Sequence, residues 1–305
     1  MPNRDLALAL LVVAVWGANF TVIRLGLDGV PPLLLAAIRF LLAAFPAVFF
    51  IRRPAVKFRY WLLYGLTVGV GQFGCLFYSI KIGMPAGVAS VVLQSQVFFT
   101  FLFAALLLQE TILPRQIAGL IVATAGLLLV GGGSNTAAAI GPAALLLTLA
   151  ASAFWAMSNI VVRKAAASAI AQGERLDMLS LVIWTALIPP LPLLGLSLLL
   201  ETPATIAIAL AGFDGKSLFA VAYLAFGATL FGYGVWSYLL SRHPASRVAP
   251  LSLLVPVAGL ITARIVLGEE LTGSQWAGCL LVVAGLVLAS FGIPLKRRMP
   301  KPNRT

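Results

Sequence analysis

Arg39 is the residue whose type and position most clearly suggest binding chemistry in this sequence. It lies about seven residues into a long apolar run, where a charged side chain is costly unless it faces a bundle interior or a wet cavity. A guanidinium can hold a carboxylate through two parallel hydrogen bonds. Two interpretations stand: Arg39 binds a substrate carboxylate, or it reaches the membrane interface or backbone carbonyls and fixes helix packing.

Polar and aromatic residues occur together in two segments that resemble each other. Trp16 and Asn19 are three residues apart and share a face if the segment is helical. The related later segment carries Trp155 and Asn159. Such faces either converge on a cavity or join helices through hydrogen bonds, as Asn does in membranes. We place these four residues in a candidate substrate site.

Amide and aromatic side chains in the third and fourth runs extend the candidate site. Gln72 shares a helical face with Ser79, seven residues later, and Tyr78 lies near that face. Gln94 and Gln96 point about 200° apart on a regular α-helix. We therefore predict that only one of the two glutamines, with Gln94 as the candidate, faces a cavity while the other bonds a neighbouring helix.

Tyr233 and Trp236, three residues apart in the eighth run, offer an aromatic wall for this site. All nine carboxylates lie at the ends of apolar runs or between them, which disfavours export of cationic drugs, because that function needs a buried acid. No phosphate-binding glycine loop, catalytic triad or metal-ligand spacing occurs, so we expect no metal, no cofactor and no enzymatic activity. Cys75 and Cys279 are expected to be packing residues.

The elements that must position these residues are membrane helices. Of the 305 residues, 61% are hydrophobic and only 10% charged, against about 25% charged in a soluble domain. A membrane-spanning helix needs about 20 mainly apolar residues. The sequence predicts an all-α integral membrane protein with ten such helices, at 5–25, 32–52, 60–80, 86–108, 114–131, 142–163, 177–200, 217–240, 247–267 and 273–293.

The basic residues predict the orientation, since Lys and Arg concentrate in cytoplasmic loops. If the N-terminus lies inside, 16 of the 21 basic residues fall on the cytoplasmic side, all except Arg24, Arg39, Lys81, Lys216 and Arg264. We therefore expect both termini in the cytoplasm. The net charge of +12 then reflects membrane topology, so nucleic acid is not an expected partner, whereas membrane lipids are.

An internal duplication is indicated by matches at a constant spacing. Glu110 and Glu269 differ by 159 positions, as do Gln116 and Gln275, Gly119 and Gly278, and Gly126 and Gly285. We expect one five-helix repeat at 1–133 and a second at 134–305. Because five is odd, the second repeat enters the membrane inverted, which is a recurring transporter architecture with the substrate near the midplane.

Four stretches resemble the EamA family of the drug/metabolite transporter superfamily: LALLVVAVWGANFTVIRLGL, PPLLLAAIRF, GMPAGVASVVLQSQVFFT and RVAPLSLLVPVAGL. The similarity covers essentially the whole chain and is greatest to bacterial exporters of cysteine and O-acetylserine. It implies ten helices in two inverted repeats, a place in the bacterial cytoplasmic membrane, and export of amino acids or related metabolites.

The sequence thus predicts a secondary exporter that works by alternating access, with a small amino-acid-like substrate. Aromatic amino acids, or nucleoside-like and sugar metabolites, are the alternative substrates. A non-transporting scaffold and a lipid-modifying enzyme are the alternatives from other classes. Proton antiport and facilitated diffusion both remain open, and a monomer is the simplest oligomeric state.

Overall fold

The computed structural model describes residues 1–131 and 140–291, and all regular structure within these ranges is helical. The helices are α1 Asn3–Gly26, α2 Pro32–Ala44, α3 Phe58–Lys81, α4 Ala86–Leu108, α5 Pro114–Gly131, α6 Pro142–Ile170, α7 Met178–Thr185, α8 Pro190–Leu200, α9 Pro203–Ala211, α10 Gly215–Arg242, α11 Pro250–Leu267 and α12 Gly273–Phe291. A short turn of helix, Ala245–Val248, precedes α11.

The helices have the length and composition of membrane spans. Among the described residues, eight helical segments are long and apolar enough to cross a membrane, with α2 counted through the following 3₁₀ turn to Phe49, or nine if the bent pair α7 and α8 forms one span. The remaining expected helix, α5, is apolar but shorter. Large apolar side chains such as Leu128 and Ile265 are about three-quarters exposed, at 71% and 76%, as expected of surfaces that face lipid. The protein is therefore an all-helical integral membrane protein, and ten spans stay a prediction.

The seventh predicted helix is broken. Its two parts, α7 and α8, are bent by 40° around Ala186–Pro189. Pro189 and Pro190 explain the break, because proline lacks the N–H for a helical hydrogen bond and clashes with the preceding turn. Pro189 also packs against α3, where a Cβ on Gly69 would stand only 1.9 Å from its Cγ. Only glycine allows the broken helix to come this close.

Two helices contain π-helical stretches, Gly65–Gln72 in α3 and Tyr223–Phe231 in α10. These stretches widen the helix and leave carbonyl groups available to other donors, as is common at functional sites. The Ala228 carbonyl oxygen, for example, accepts a hydrogen bond of 2.9 Å from Trp16 Nε1. A 3₁₀ turn, Leu93–Ser95, similarly interrupts α4.

Helices α5 and α12 pack closely through glycines. A Cβ on Gly119 would stand 2.5 Å from the Gly285 carbonyl oxygen, and one on Gly126 would stand 2.6 Å from the Gly278 carbonyl oxygen. Gly119 thus lies against the sequence counterpart of Gly126, and Gly126 lies against the sequence counterpart of Gly119. Small residues allow this close backbone approach in membranes, and they join the first and second halves of the chain.

Candidate functional site

A cavity of about 490 Å³ lies between helices from both halves of the chain. Its volume falls within the range of small-molecule sites. Nine of the ten residues proposed from the sequence line it: Trp16, Asn19, Arg39, Gln72, Gln94, Trp155, Asn159, Tyr233 and Trp236. The tenth, Tyr78, does not. It lies six positions after Gln72, and this spacing rotates it about 240° around α3 relative to Gln72. The neighbouring Ser79 bonds Thr148 on α6.

Arg39 lies at the wall of this cavity and is almost completely buried, with 2% exposed. Its Nη2 donates to Thr229 Oγ1 at 3.1 Å, and its Cζ lies 3.9 Å from the centre of the Phe73 ring. Its Nε and Nη1 have no hydrogen-bond partner within the described structure. A buried donor without an acceptor is costly, above all when charged. The guanidinium therefore has two donors available for an anionic oxygen.

Two uncharged acceptors on other helices lack partners as well. Asn19 on α1 and Gln72 on α3 are both buried, and neither Asn19 Oδ1 nor Gln72 Oε1 accepts a hydrogen bond from the described residues. Both side chains line the cavity, whose described lining contains no carboxylate. The cavity thus combines a free cationic donor with free neutral acceptors, an arrangement that suits a ligand carrying an anionic and a cationic group.

Gln94 and Gln96 both line the cavity, so the prediction that only one would do so was wrong. The 3₁₀ turn Leu93–Ser95 is the reason, because it has about three residues per turn. Positions two apart then lie about 120° from each other by the shorter way around the helix, instead of about 160° (the same angle as about 200° the longer way) on a regular α-helix. Gln96 also bonds a neighbouring helix, since its Oε1 accepts from Asn159 Nδ2 at 2.8 Å. Asn159 Nδ2 additionally lies 3.2 Å from Thr100 Oγ1.

An aromatic cluster forms one wall. The Trp16 ring lies 5.4 Å from that of Tyr233 and 5.2 Å from that of Trp236, both in tilted geometry. Tilted aromatic pairs at such distances are favourable. The hydrogen bond from Trp16 Nε1 to Ala228 fixes the indole orientation. This wall provides an apolar, polarisable surface beside the polar groups.

One end of the cavity reaches the surface at Arg163, whose side chain is 46% exposed and lines the cavity. Arg163 pairs with Glu110, with Nη1 at 3.2 Å from Glu110 Oε2 and Nη2 bonded to Oε1. The carboxylate of Glu110 beside this end of the cavity is therefore paired with an arginine.

Polar contacts join the helices at the other end of the cavity. Lys81 Nζ donates to the Leu27 carbonyl oxygen at 3.0 Å. The nearby Asp28 pairs with Lys216 and Arg24. The hydrogen bond from Lys216, assisted by the charges of both bases, lowers the pKa of the Asp28 carboxyl. Glu269 binds backbone N–H groups of Ala86 and Gly87 at the start of α4.

Sequence reasoning missed several lining residues, notably Phe20, Tyr64 and Phe73. Together with Arg39, Tyr64 and Phe73 also border a second cavity of about 20 Å³, which is room for about one water molecule. The signal for Phe73 was its place directly after Gln72. Tyr64 offered no comparable signal, because aromatic residues near the ends of runs are also typical of the membrane interface.

The EamA-like transporter family matches residues 4–132 and 142–291 of this chain. A Salmonella typhimurium protein named "Probable amino-acid metabolite efflux pump" is 49% identical over 97% of the chain and 98% of its own length. An Escherichia coli K12 protein of the same name is 46% identical over 96% and 97%. A solved structure, "Crystal structure of protein", has a TM-score of 0.62 and 19% identity over 95% of this chain and 97% of its own, which is similarity of fold alone.

The helices, their apolar surfaces and these similarities define a multi-pass membrane transporter rather than an enzyme. The chain belongs to the EamA-like transporter family, within the drug/metabolite transporters, as the resemblance of its motifs implied.

Proposed function

We propose that this protein is a secondary exporter of amino acids and related metabolites, which it binds in the central cavity and moves by alternating access. The observation that carries the proposal is the buried Arg39, with two nitrogens lacking partners at the wall of a cavity whose described lining contains no carboxylate. A substrate carboxylate supplies the missing acceptor. The two relatives named as amino-acid metabolite efflux pumps support the same substrate class.

In this proposal each polar group of an amino acid has a counterpart in the cavity. The carboxylate accepts a charge-assisted hydrogen bond from Nε or Nη1 of Arg39, the donors that lack partners in the described structure. The ammonium group donates to Asn19 Oδ1 and Gln72 Oε1, the acceptors that lack partners. Gln94 and the Gln96–Asn159 pair bind polar groups at the opposite wall, while Trp16, Trp155, Tyr233 and Trp236 contact the side chain.

We further propose that the chain forms ten spans in two inverted repeats, 1–133 and 134–305. The 159-residue spacing recurs in local structure, since the π-helical stretches begin at Gly65 and Tyr223, 158 positions apart, and end at Gln72 and Phe231, 159 apart. Gln116 Oε1 accepts from Leu113 N, and its counterpart Gln275 Oε1 accepts from Thr272 N. Two halves with the same local geometry can exchange conformations, which is the physical requirement for alternating access.

The proposed membrane is the bacterial cytoplasmic membrane, with both termini inside. The distribution of basic residues supports this orientation. In this proposed orientation, the end of the cavity that reaches the surface at Arg163 lies on the cytoplasmic side, and the contacts of Glu269 lie on the outer side. An exporter loads its substrate from the cytoplasm, so this conformation is the loading state.

Counterflow into proteoliposomes tests the proposal. The wild type should exchange labelled cysteine or threonine, and Arg39→Gln should lose at least about ninety per cent of the rate, since hydrogen bonds to charged groups are worth about 1.5–3 kcal/mol. Arg264→Gln is the matched control, because Arg264 is 58% exposed and lies 3.8 Å from Glu270. If a folded Arg39→Gln protein exchanges normally, Arg39 serves only packing against Phe73 and Thr229.

The aromatic cluster favours a second candidate, export of aromatic amino acids. Trp16, Tyr233 and Trp236 provide a wall against which an aromatic substrate ring would stack. A panel of labelled cysteine, threonine, phenylalanine, a nucleoside and a sugar, with and without a pH gradient, separates these substrates and identifies any proton coupling. Preference for phenylalanine would establish the second candidate in place of the first.

A further inference from the structure

We propose that Glu269 and Glu110 are the residues that determine which end of the cavity is closed. Each closes one end by binding the first backbone N–H groups of a helical segment in the other half of the chain, and only one is bound in this way at a time. The inference rests on the proposed alternating access between inverted halves, and it assigns the exchange to two particular carboxylates.

Glu269 makes this contact in the present conformation. Its Oε1 accepts from Ala86 N at 2.6 Å and its Oε2 from Gly87 N at 3.0 Å. Unpaired N–H groups at a helix start attract a carboxylate through hydrogen bonds and the helix dipole. Glu269 follows α11 and Ala86 begins α4, so the two halves are joined at this end. Helices α4 and α11 are also close here, since a Cβ on Gly87 would stand 3.2 Å from Ala263 Cβ.

Glu110 is the sequence counterpart of Glu269, yet it has a different partner. Both of its carboxylate oxygens bind Arg163, which lines the cavity at its exposed end. The two side chains are 46% and 47% exposed. An ion pair this exposed contributes little stability, so Glu110 can leave Arg163 at low cost. The structure thus holds one glutamate in a partly buried helix-start contact and its counterpart in an exchangeable pair.

The spacing identifies where Glu110 binds in the opposite state. Ala86 corresponds to Ala245, also at a spacing of 159, and a proline precedes each of them. In that state Glu110 releases Arg163 and binds the backbone N–H groups at the start of Ala245–Val248, which closes the end at Arg163. Glu269 releases Ala86 and Gly87, and the other end opens. One carboxylate–helix contact is lost as its equivalent forms, so neither state is strongly favoured.

Distances between spin labels test the exchange in the full-length protein in lipid nanodiscs without substrate. Cysteines replace exposed residues in a Cys75→Ser/Cys279→Ala background, with Ile82 and Ser274 labelled at the Glu269 end and Thr111 and Arg247 at the Glu110 end. Glu269→Gln should lengthen the distance between the labels at Ile82 and Ser274 and shorten the distance between the labels at Thr111 and Arg247. The ratio of the two populations should change by roughly tenfold, because the variant loses a charge-assisted contact.

Glu110→Gln should shift the populations in the opposite direction, and the double variant should return them towards the wild-type ratio. Glu270→Gln is the matched control, because the neighbouring Glu270 is 83% exposed and should change neither distance. The proposal is overturned if either single variant leaves both distances unchanged, or if the two variants shift them in the same direction. Since no substrate is present, a failure of amino-acid counterflow would contradict the proposed function without altering this result.

Discussion

Arg39 is held by partners that orient it without neutralising it. Thr229 accepts one hydrogen bond and the Phe73 ring contacts the guanidinium face, but neither carries a negative charge. The side chain is therefore fixed in place while its charge remains available. Preorganisation of this kind raises affinity, because little motion is lost on binding.

The neutral acceptors on Asn19 and Gln72 should make binding selective for ligands that carry an amino group. Asn19→Leu and Gln72→Met each remove an acceptor that we assign to the ammonium. Each should weaken binding of an amino acid about tenfold, since a hydrogen bond to a charged group is worth roughly 1.5–3 kcal/mol. Binding of the corresponding acid without an amino group should stay unchanged. Titration of tryptophan fluorescence measures both affinities, because Trp16, Trp155 and Trp236 line the cavity.

The matched control for these variants is Gln172→Met, because Gln172 is exposed and its side chain bonds Ser168 in the last turn of α6, away from the cavity lining. Equal losses for the amino acid and for its analogue without the amino group would contradict the assignment, since they would indicate a change in cavity shape.

Tyr78 and Tyr233 provide a second test at the residue scale. Tyr233 lines the cavity and contacts Trp16, whereas Tyr78 does not line it. Tyr233→Leu should therefore lower the counterflow rate several-fold, because aromatic pairs contribute about 0.5–1.5 kcal/mol beyond their burial. Tyr78→Leu should leave the rate near that of the wild type. A larger loss for Tyr78→Leu would contradict the position of the site.

Much of the candidate site could be predicted from residue type, because a polar side chain within a membrane span has few places to lie other than a cavity or a helix contact. Trp16, Asn19 and Arg39 follow from this argument. The pairing of Gln94 with Gln96 and the position of Tyr78 could not be obtained in the same way. Both depend on the rotation between residues along a helix. Regular α-helical rotation already separates Tyr78 from Gln72 by about 240°, whereas the chain departs from regular geometry at the 3₁₀ turn that includes Gln94.

At the level of elements, the contact between α5 and α12 depends on small residues. Gly126→Ala should destabilise the protein by about 1–3 kcal/mol, the usual cost of overpacking, because its Cβ would stand 2.6 Å from the Gly278 carbonyl oxygen. Gly195→Ala in α8 is the control, since no atom lies within 4 Å of its Cβ position. It should be neutral or stabilising by about 0.5–1 kcal/mol. Thermal unfolding in detergent compares the two, and equal effects would contradict the close approach.

Glu201 should stabilise the start of α2. It is buried, and its carboxylate accepts from Leu33 N at 2.6 Å and Leu34 N at 3.2 Å, with a further bond from Ser197. Glu201→Gln should cost about 1.5–3 kcal/mol of stability through the loss of charge-assisted bonds. Glu174→Gln, at an exposed loop position, should leave the unfolding temperature unchanged. A similar fall for both would assign the effect to net charge.

Helix positions followed from apolar length, but their internal geometry did not. The prolines account for the break between α7 and α8, whereas nothing in the composition of Gly65–Gln72 marks it as π-helical. The corresponding stretch in α10 makes tertiary contacts at its first residue, where the Tyr223 hydroxyl donates to the Val15 carbonyl oxygen at 2.8 Å. A sequence pattern records hydrophobicity and does not record these pairings.

For the whole molecule, the orientation makes a prediction that needs no substrate. Reporter fusions after Lys57 should be fluorescent with green fluorescent protein and inactive with alkaline phosphatase, because this basic segment should lie in the cytoplasm. Fusions after Gly83 should show the reverse behaviour. The opposite pattern at both sites would mean that the orientation is inverted and that the end of the cavity at Arg163 faces the outside.

The described lining contains no carboxylate that could take up or release a proton when a substrate binds, and this has an electrical consequence. An amino acid adds one positive and one negative group to the cavity, so the loaded and the empty protein carry the same net charge. A membrane potential of 100 mV acts on each transferred charge with about 2.3 kcal/mol, but it acts equally on these two forms. Voltage alone therefore gives no direction to the transport of a zwitterion, and the concentrations on the two sides must do so unless a second ion is exchanged.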